Sequence, residues 1–313
     1  MADIRKLETV PQMDEYAPTK VTIMGNVIEV VTRQKNSGCC PCVKLDADHY
    51  IDTRTGEVLE YSHIDNRSES TRSIRNTLAR IRALVNTNVT APANVRWVTL
   101  TYAENMTDTK QLYHDFEKFW KKFLYWNNKQ SYSRPEYICV IEPQGRGAWH
   151  VHAFFIWDRP APYIDNNSVL APMWGHGFTS CKALYDCDNV GAYFSAYLAD
   201  MPADDLVRLS DVEKVKALSG CTIQEKTFTD EQDRSKTKKF VKGGRLYLYP
   251  PGMNIVRSTR GIKQPEVETM TASQAKEKVS SAKLTYSCAY EVVDDTGVVV
   301  NTCCKAYYNT KRK

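Results

Sequence analysis

No stretch of this sequence is long and uncharged enough to read as a membrane-crossing helix. The opening segment, Met1 to Tyr16, also lacks the apolar core of a signal peptide, so the expected location is the cytoplasm. Internal repeats and low-complexity tracts are absent, which argues against a solenoid or a disordered array. There is no glycine-rich phosphate loop of the P-loop type, which excludes a built-in nucleotide-driven motor. A second Cys-x-x-Cys pair at zinc-finger spacing is missing too. Ten cysteines in 313 residues therefore read neither as a disulfide scaffold nor as a finger array. The cluster Cys39-Cys40-Pro41-Cys42 could hold a structural zinc with His49 or His63, but buried thiols are the preferred reading, and Cys303-Cys304 is a weaker cluster still.

What is present is a globular composition, 42% apolar, with material for one large domain or two ordinary ones. The net charge of +5 is modest, and its distribution says more. Arg67, Arg72, Arg75, Arg80 and Arg82 form one basic run. Lys236, Lys238, Lys239, Lys242 and Arg245 form a second, followed by Arg257, Arg260 and Lys263, and Lys311 to Lys313 close the chain. Each run alone would be an ordinary solvated face. Three of them point to a polyanionic partner.

Residues 1–66 mix short β-like runs (Lys20 to Thr32, Gly56 to Tyr61) with turn residues, which predicts a β-rich region. Ile74, Leu78, Ile81 and Val85 recur at helical spacing between Ser68 and Val85, with the arginines off that stripe. A linker over 86–94 and a strand over 96–102 follow. Thr107 or Asp108 caps a helix to about Asn127, striped by Leu112, Phe116, Phe119, Trp120 and Phe123. Strands over 136–142 and 148–157 flank the loop Pro143 to Gly147 as a hairpin. A short strand over 177–182, helices over 189–200 and 204–217, and a C-terminal hairpin from Lys283 to Asn309 around Asp294 to Gly297 complete the pattern.

Chemistry gathers at that first hairpin. His150 and His152, two apart on a strand, project from one face and can reach one point. With Pro143 to Gly147 as the loop, Glu142 falls opposite Ala148 and Val140 opposite His150, which puts Glu142 on the histidine face. Two imidazoles and a carboxylate make a three-ligand set with open positions, the pattern of a catalytic metal; the bland alternative is a hairpin-end carboxylate beside two hydrogen-bonded histidines. Tyr193 and Tyr197, at i and i+4, share a helix face beside a more core-like pair, Phe194 and Leu198. A phenol is a poor nucleophile unless its target is made more electrophilic, which a divalent ion on a phosphate oxygen does. The combination points to metal-assisted attack of tyrosine on a phosphodiester. Zinc hydrolysis with bound water, and a non-catalytic RRM-like nucleic-acid-binding module, are the competing readings.

Three segments in order, Val98-Thr99-Leu100-Thr101-Tyr102, His150-Val151-His152, and the Tyr193/Tyr197 helix, resemble the motifs of the HUH endonuclease superfamily of rolling-circle replication initiators. The stretches Gly145 to His152 and Asn189 to Leu198 are similar to phage and plasmid replication proteins of the filamentous-phage gene II type. The resemblance implies an α+β fold with an HUH/RRM-like antiparallel sheet carrying the histidines and helices on its opposite face, to which the residue patterns at either end add smaller β-rich N-terminal and hairpin C-terminal extensions. It covers about residues 95–260 as an endonuclease domain, and the residue patterns outside that span give a region 1–66, a basic helix and linker over 67–94, and an extension over 261–313. It also implies Mg²⁺ or Mn²⁺ on His150, His152 and Glu142, Tyr193 and Tyr197 as nucleophiles, and single-stranded origin DNA as substrate. Arg146, Lys182, Lys238, Lys239, Lys242 and Arg245 are the expected DNA contacts. A host helicase and DNA polymerase would supply unwinding and synthesis. A relaxase or transposase of the same superfamily is a close alternative. One departure is that the lysine many relatives carry three residues after the active tyrosine is replaced here by Ala196 and Asp200.

Overall fold

The computed structural model describes residues 3–36, 42–53, 55–61, 71–144, 148–184, 189–191, 194, 200–218, 222–229, 235–250, 253–294 and 296–312. Tyr193, Tyr197, Arg146, Cys39, Cys40, His63 and Arg67 lie outside them, and most of the helix expected over 189–200 does too. The chain forms two compact units, one of residues 1–65 with 265–313 and one of residues 66–264. Antiparallel sheets and a few helices make it an α+β protein. Among the described residues no helix is long and apolar enough to cross a membrane.

The first unit joins the two ends of the chain in a six-stranded antiparallel sheet. Its strands are β1 (Asp3–Lys6), β2 (Pro18–Met24), β3 (Val27–Arg33), β15 (Glu266–Thr271), β16 (Lys283–Val293) and β17 (Val299–Asn309), in the order β1-β16-β17-β3-β2-β15. The expected C-terminal hairpin is β16–β17, and its turn is locked by Asp294, whose Oδ1 accepts from the amides of Thr296 and Val298. The helix Ala272–Lys278 covers one sheet face and buries Ala275 and Val279 against Val21, Ile28 and Val30. Its start is written in the sequence as a capping box, Thr271 to Gln274, in which each side chain bonds the other residue's backbone. A smaller sheet pairs β4 (Cys42–Lys44), β5 (His49–Asp52) and β6 (Val58–Glu60), and in it His49 Nδ1 is held by Asp46.

The second unit is built on a five-stranded antiparallel sheet. Its strands are β7 (Val95–Thr101), β8 (Glu136–Pro143), β9 (Trp149–Ile156), β10 (Thr179–Ala183) and β14 (Val256–Ser258), in the order β10-β7-β9-β8-β14. Helix α2 (Thr109–Lys129) is capped by Asp108, whose carboxylate accepts from the amides of Lys110 and Gln111. Its stripe packs on the sheet, with the rings of Phe119, Trp120 and Phe123 4.7–6.3 Å from that of Phe155. Residues of one parity on β9 thus face α2, and the histidines take the other face. A third sheet of β11 (Met201–Pro202), β12 (Thr222–Thr229) and β13 (Ser235–Lys242) carries part of the second basic run on β13. The helix expected over 204–217 is a 3₁₀ turn, Ala203–Arg208, followed by a short α-helix, Asp211–Leu218.

Besides the helix on the opposite face, helical residues also reach the histidine side. Phe194, in the segment expected to carry the tyrosine helix, is fully buried there, against Phe154 at 4.8 Å and Trp97 at 5.7 Å between ring centroids. Helix α1 (Thr71–Asn88) is tied to that segment. Asn86 Oδ1 accepts from the Gly191 amide at 2.8 Å, and its Nδ2 donates to Asn189 Oδ1. A Cβ on Gly191 would lie 2.5 Å from the Arg82 carbonyl oxygen, so only glycine allows this approach. Gly191→Ala is therefore expected to cost about 1–3 kcal/mol, read as a lower midpoint at unchanged slope in urea unfolding.

Candidate functional site

The site starts from the β8–β9 hairpin. Glu142 pairs with His150 and Val140 with His152, and Gln144 N–H donates to the Ala148 carbonyl to close the loop. Each partner is displaced by two from the expected register, because the five-residue loop begins one residue later. Trp149 explains the displacement: its amide donates to Met106 O and its indole N–H to Thr107 O, which fixes the start of β9 against the β7–α2 connection. A shift of two preserves the face, so Glu142, His150 and His152 still project together.

His152 is 3% exposed and Glu142 4%. His152 Nε2 lies 2.7 Å from Glu142 Oε2, and its Nδ1 lies 3.1 Å from the Thr99 hydroxyl on β7. Strands on both sides therefore set the orientation of this ring. Burial pushes its pKa down to about 4, so near neutral pH the imidazole is uncharged, the form that binds metal. His150 stands beside it, 5.9 Å between ring centroids, with Thr101 of β7 opposite.

The other oxygen of Glu142 is ion-paired with Arg245. The side chain of Arg245 is only 15% exposed, and its other terminal nitrogen lies 4.0 Å from Asp205. The turn after β13 delivers it there, with Gly243 at φ 78° and its amide bonded to the buried Asp200. Arg245, expected as a DNA contact, is in this fold also the counter-charge of the carboxylate. A run of basic residues gives no hint of this, since only the fold brings position 245 to position 142.

The donor set, two imidazoles and a carboxylate, suits a divalent cation of borderline character. As they stand, no three such side chains converge on one point among the described residues, and both Glu142 oxygens already have partners. Of the other expected contacts, Lys182 is exposed on β10 opposite Trp97, which puts it on the histidine face. Lys239 and Lys242 are exposed on β13, Lys239 within 3.4 Å of Glu225, and Lys238 lies beside them in sequence on the same strand.

Phe194 reaches the site itself, with its ring edge-on to His152 at 6.2 Å between centroids. Tyr102, the last residue of the first motif, is unfit as a nucleophile. Burial and the acceptor Asp115, 3.0 Å from its hydroxyl, both raise its pKa. A cavity of about 560 Å³ opens beside it, but Glu104, Asp108 and Asp115 line it, a poor setting for a phosphate.

No curated protein and no solved structure matches the chain. Residues 95–202, about a third of the chain, match the model of a family described as replication-associated protein, of the ORF2 and phage gene II protein type. The matched span begins with β7, takes in the histidine strand and Phe194, and ends with β11. Over this segment the chain is thus similar to replication-associated proteins, which fits the likeness of its motifs to those of rolling-circle replication initiators.

Proposed function

We propose that the chain nicks and rejoins single-stranded DNA at a replication origin, and so starts rolling-circle replication of a phage or plasmid. Tyr193 or Tyr197 attacks the scissile phosphorus. The phenolic oxygen forms the new P–O bond and gives up its proton, and the 3′ oxygen leaves and takes one. The product is a 5′-phosphotyrosine with a free 3′ hydroxyl for a host polymerase. Bond energy is conserved in the phosphotyrosine, so the second tyrosine or the new 3′ end closes the circle without a nucleotide cofactor. His150, His152 and Glu142 would hold Mg²⁺ or Mn²⁺, which supplies Lewis-acid polarisation of the phosphate. Thr99 keeps the His152 ring turned toward Glu142. Lys182, on the histidine face, offers a phosphate contact.

The observation that carries the reading is the contact of Phe194 with His152 and Trp97, since Phe194 directly follows Tyr193 and precedes Tyr197 by three residues. The test is incubation of the protein with single-stranded fragments of its own replicon and Mn²⁺, followed by denaturing electrophoresis. A covalent protein–DNA band is expected. Cleavage without one would instead indicate a water nucleophile, and neither cleavage nor adduct a binding module.

Thr99 offers a subtler check. Thr99→Val keeps the shape and deletes the oxygen on His152 Nδ1. Loss of the group that orients a metal-binding imidazole typically reduces metal affinity by about 10–100-fold. A Mn²⁺ titration followed by electron paramagnetic resonance should show a drop of that order.

A further inference from the structure

The six-stranded sheet of the first unit has a second face that the function above does not use. Side chains directly opposite in antiparallel pairs share a face, so the strand registers sort the residues without ambiguity. One set, with Val21, Ile28 and Val30, lies under the helix Ala272–Lys278. Among the described residues that helix is the one this unit contains, so the opposite face carries none.

On that other face Thr22, Met24, Val27, Cys303 and Asn309 are buried, and beside them Tyr286 of β16 sits opposite Tyr307 of β17, with ring centroids 6.2 Å apart. Tyr290 follows two positions beyond Cys288 on β16, paired with Lys6 of β1. Lys305, two from Tyr307, holds its ammonium 5.0 Å from that ring's centre. Arg33 pairs with Cys303 on the same face, and Lys20 with Val31. Glu29 is the carboxylate among the described positions of this face, and it is already ion-paired with Lys305 and accepts from the Tyr307 hydroxyl at 2.6 Å. Lys6, Lys20 and Tyr286 are exposed, Tyr286 to 52%.

Aromatic rings on neighbouring strands, flanked by cations and with the acid beside them neutralised, are what an extended polyanion with stackable faces requires. From β2 to β1 is four strand spacings, roughly 19 Å, room for several nucleotides. We infer that this sheet face, formed by the two ends of the chain, is a binding platform for single-stranded nucleic acid without sequence preference. The tyrosines stack bases, and Lys6, Lys20 and Arg33 contact phosphates. The inference rests on the DNA-processing reading for its biological sense, but it stands on separate residues in a separate unit.

The test is fluorescence anisotropy of the full chain with labelled dT20 in the absence of divalent metal, so that no nick is needed. Lys6→Glu/Lys20→Glu should weaken binding at least about tenfold near 0.1 M salt and flatten the log–log salt slope by about 1.4, two single-strand phosphate contacts. Tyr286→Ala should weaken it by about tenfold, and Tyr286→Phe, which keeps the ring, should bind as the parent does. Unchanged affinity and slope in the charge variant, or parental binding by Tyr286→Ala, would overturn the platform. Tighter binding of a 20-base-pair duplex than of dT20, abolished by the same substitutions, would also overturn the single-strand assignment. Adduct formation is measured separately. Adducts without the dT20 pattern sink the platform alone, and the dT20 pattern without adducts sinks only the nicking reading.

Discussion

A chain with Tyr193→Phe and Tyr197→Phe together should form no covalent adduct with origin DNA, and its cleavage rate should fall by about 10⁴-fold or more, the scale seen when an enzyme loses its nucleophile. Phenylalanine keeps the ring and deletes only the hydroxyl, so binding of the same oligonucleotide should stay within a few-fold of the parent. The two single variants should differ. The one that lacks the first attacker loses cleavage; the one that lacks the second cleaves but fails to pass the strand on and close a circle. Tyr102 cannot substitute, because it is buried and its proton is held by Asp115. Full cleavage by the double variant would end the tyrosine mechanism and leave the histidines to a water-based hydrolysis.

The fold explains why the histidine strand is readable in the sequence and its surroundings are not. His150-Val151-His152 is a local pattern with period two, and β9 is buried enough for the pattern to be unambiguous. The face shared with Glu142 is equally legible, because a displacement of two residues leaves parity intact, although the exact partner depends on Trp149 meeting Met106 and Thr107. The cap of α2 and the C-terminal hairpin follow from Asp108 and from the Asp294 turn, both read within a few residues. Arg245 on Glu142 and Thr99 on His152 are different in kind. They join residues 103 and 53 positions apart, and nothing near either residue in sequence marks the contact. The same holds for the six-stranded sheet, where Asp3–Lys6 pairs with a strand beyond residue 280. Polar strands such as β12 and β13 escape a sequence reading because their few apolar residues do not recur at period two and so mark no apolar face.

The ion pair between Arg245 and Glu142 yields the second large effect, and it separates two roles of one carboxylate. Removing one member of a buried pair leaves a desolvated charge without its partner, and Glu142→Ala is expected to cost about 3 kcal/mol. Asp205, at 4.0 Å from the guanidinium, keeps the loss from being greater. Adding Arg245→Met to Glu142→Ala should recover most of that stability, since a hydrophobic replacement of a buried pair is often neutral. Metal binding should not recover with it. Mn²⁺ affinity should fall in both chains that lack Glu142, whatever their stability. Arg245→Met alone should do the reverse: less stable without metal, but with a carboxylate that no longer has a competing cation, and therefore with tighter Mn²⁺ binding. Because a ligand that binds only the folded state stabilises it by mass action, saturating Mn²⁺ should raise the unfolding midpoint of Arg245→Met more than that of the parent. Urea unfolding with and without Mn²⁺ on the four chains reads every term. Weaker Mn²⁺ binding by Arg245→Met would show that the guanidinium orients the carboxylate for the metal rather than competing with it. Undiminished Mn²⁺ binding by the Glu142→Ala chains would remove Glu142 from the ligand set.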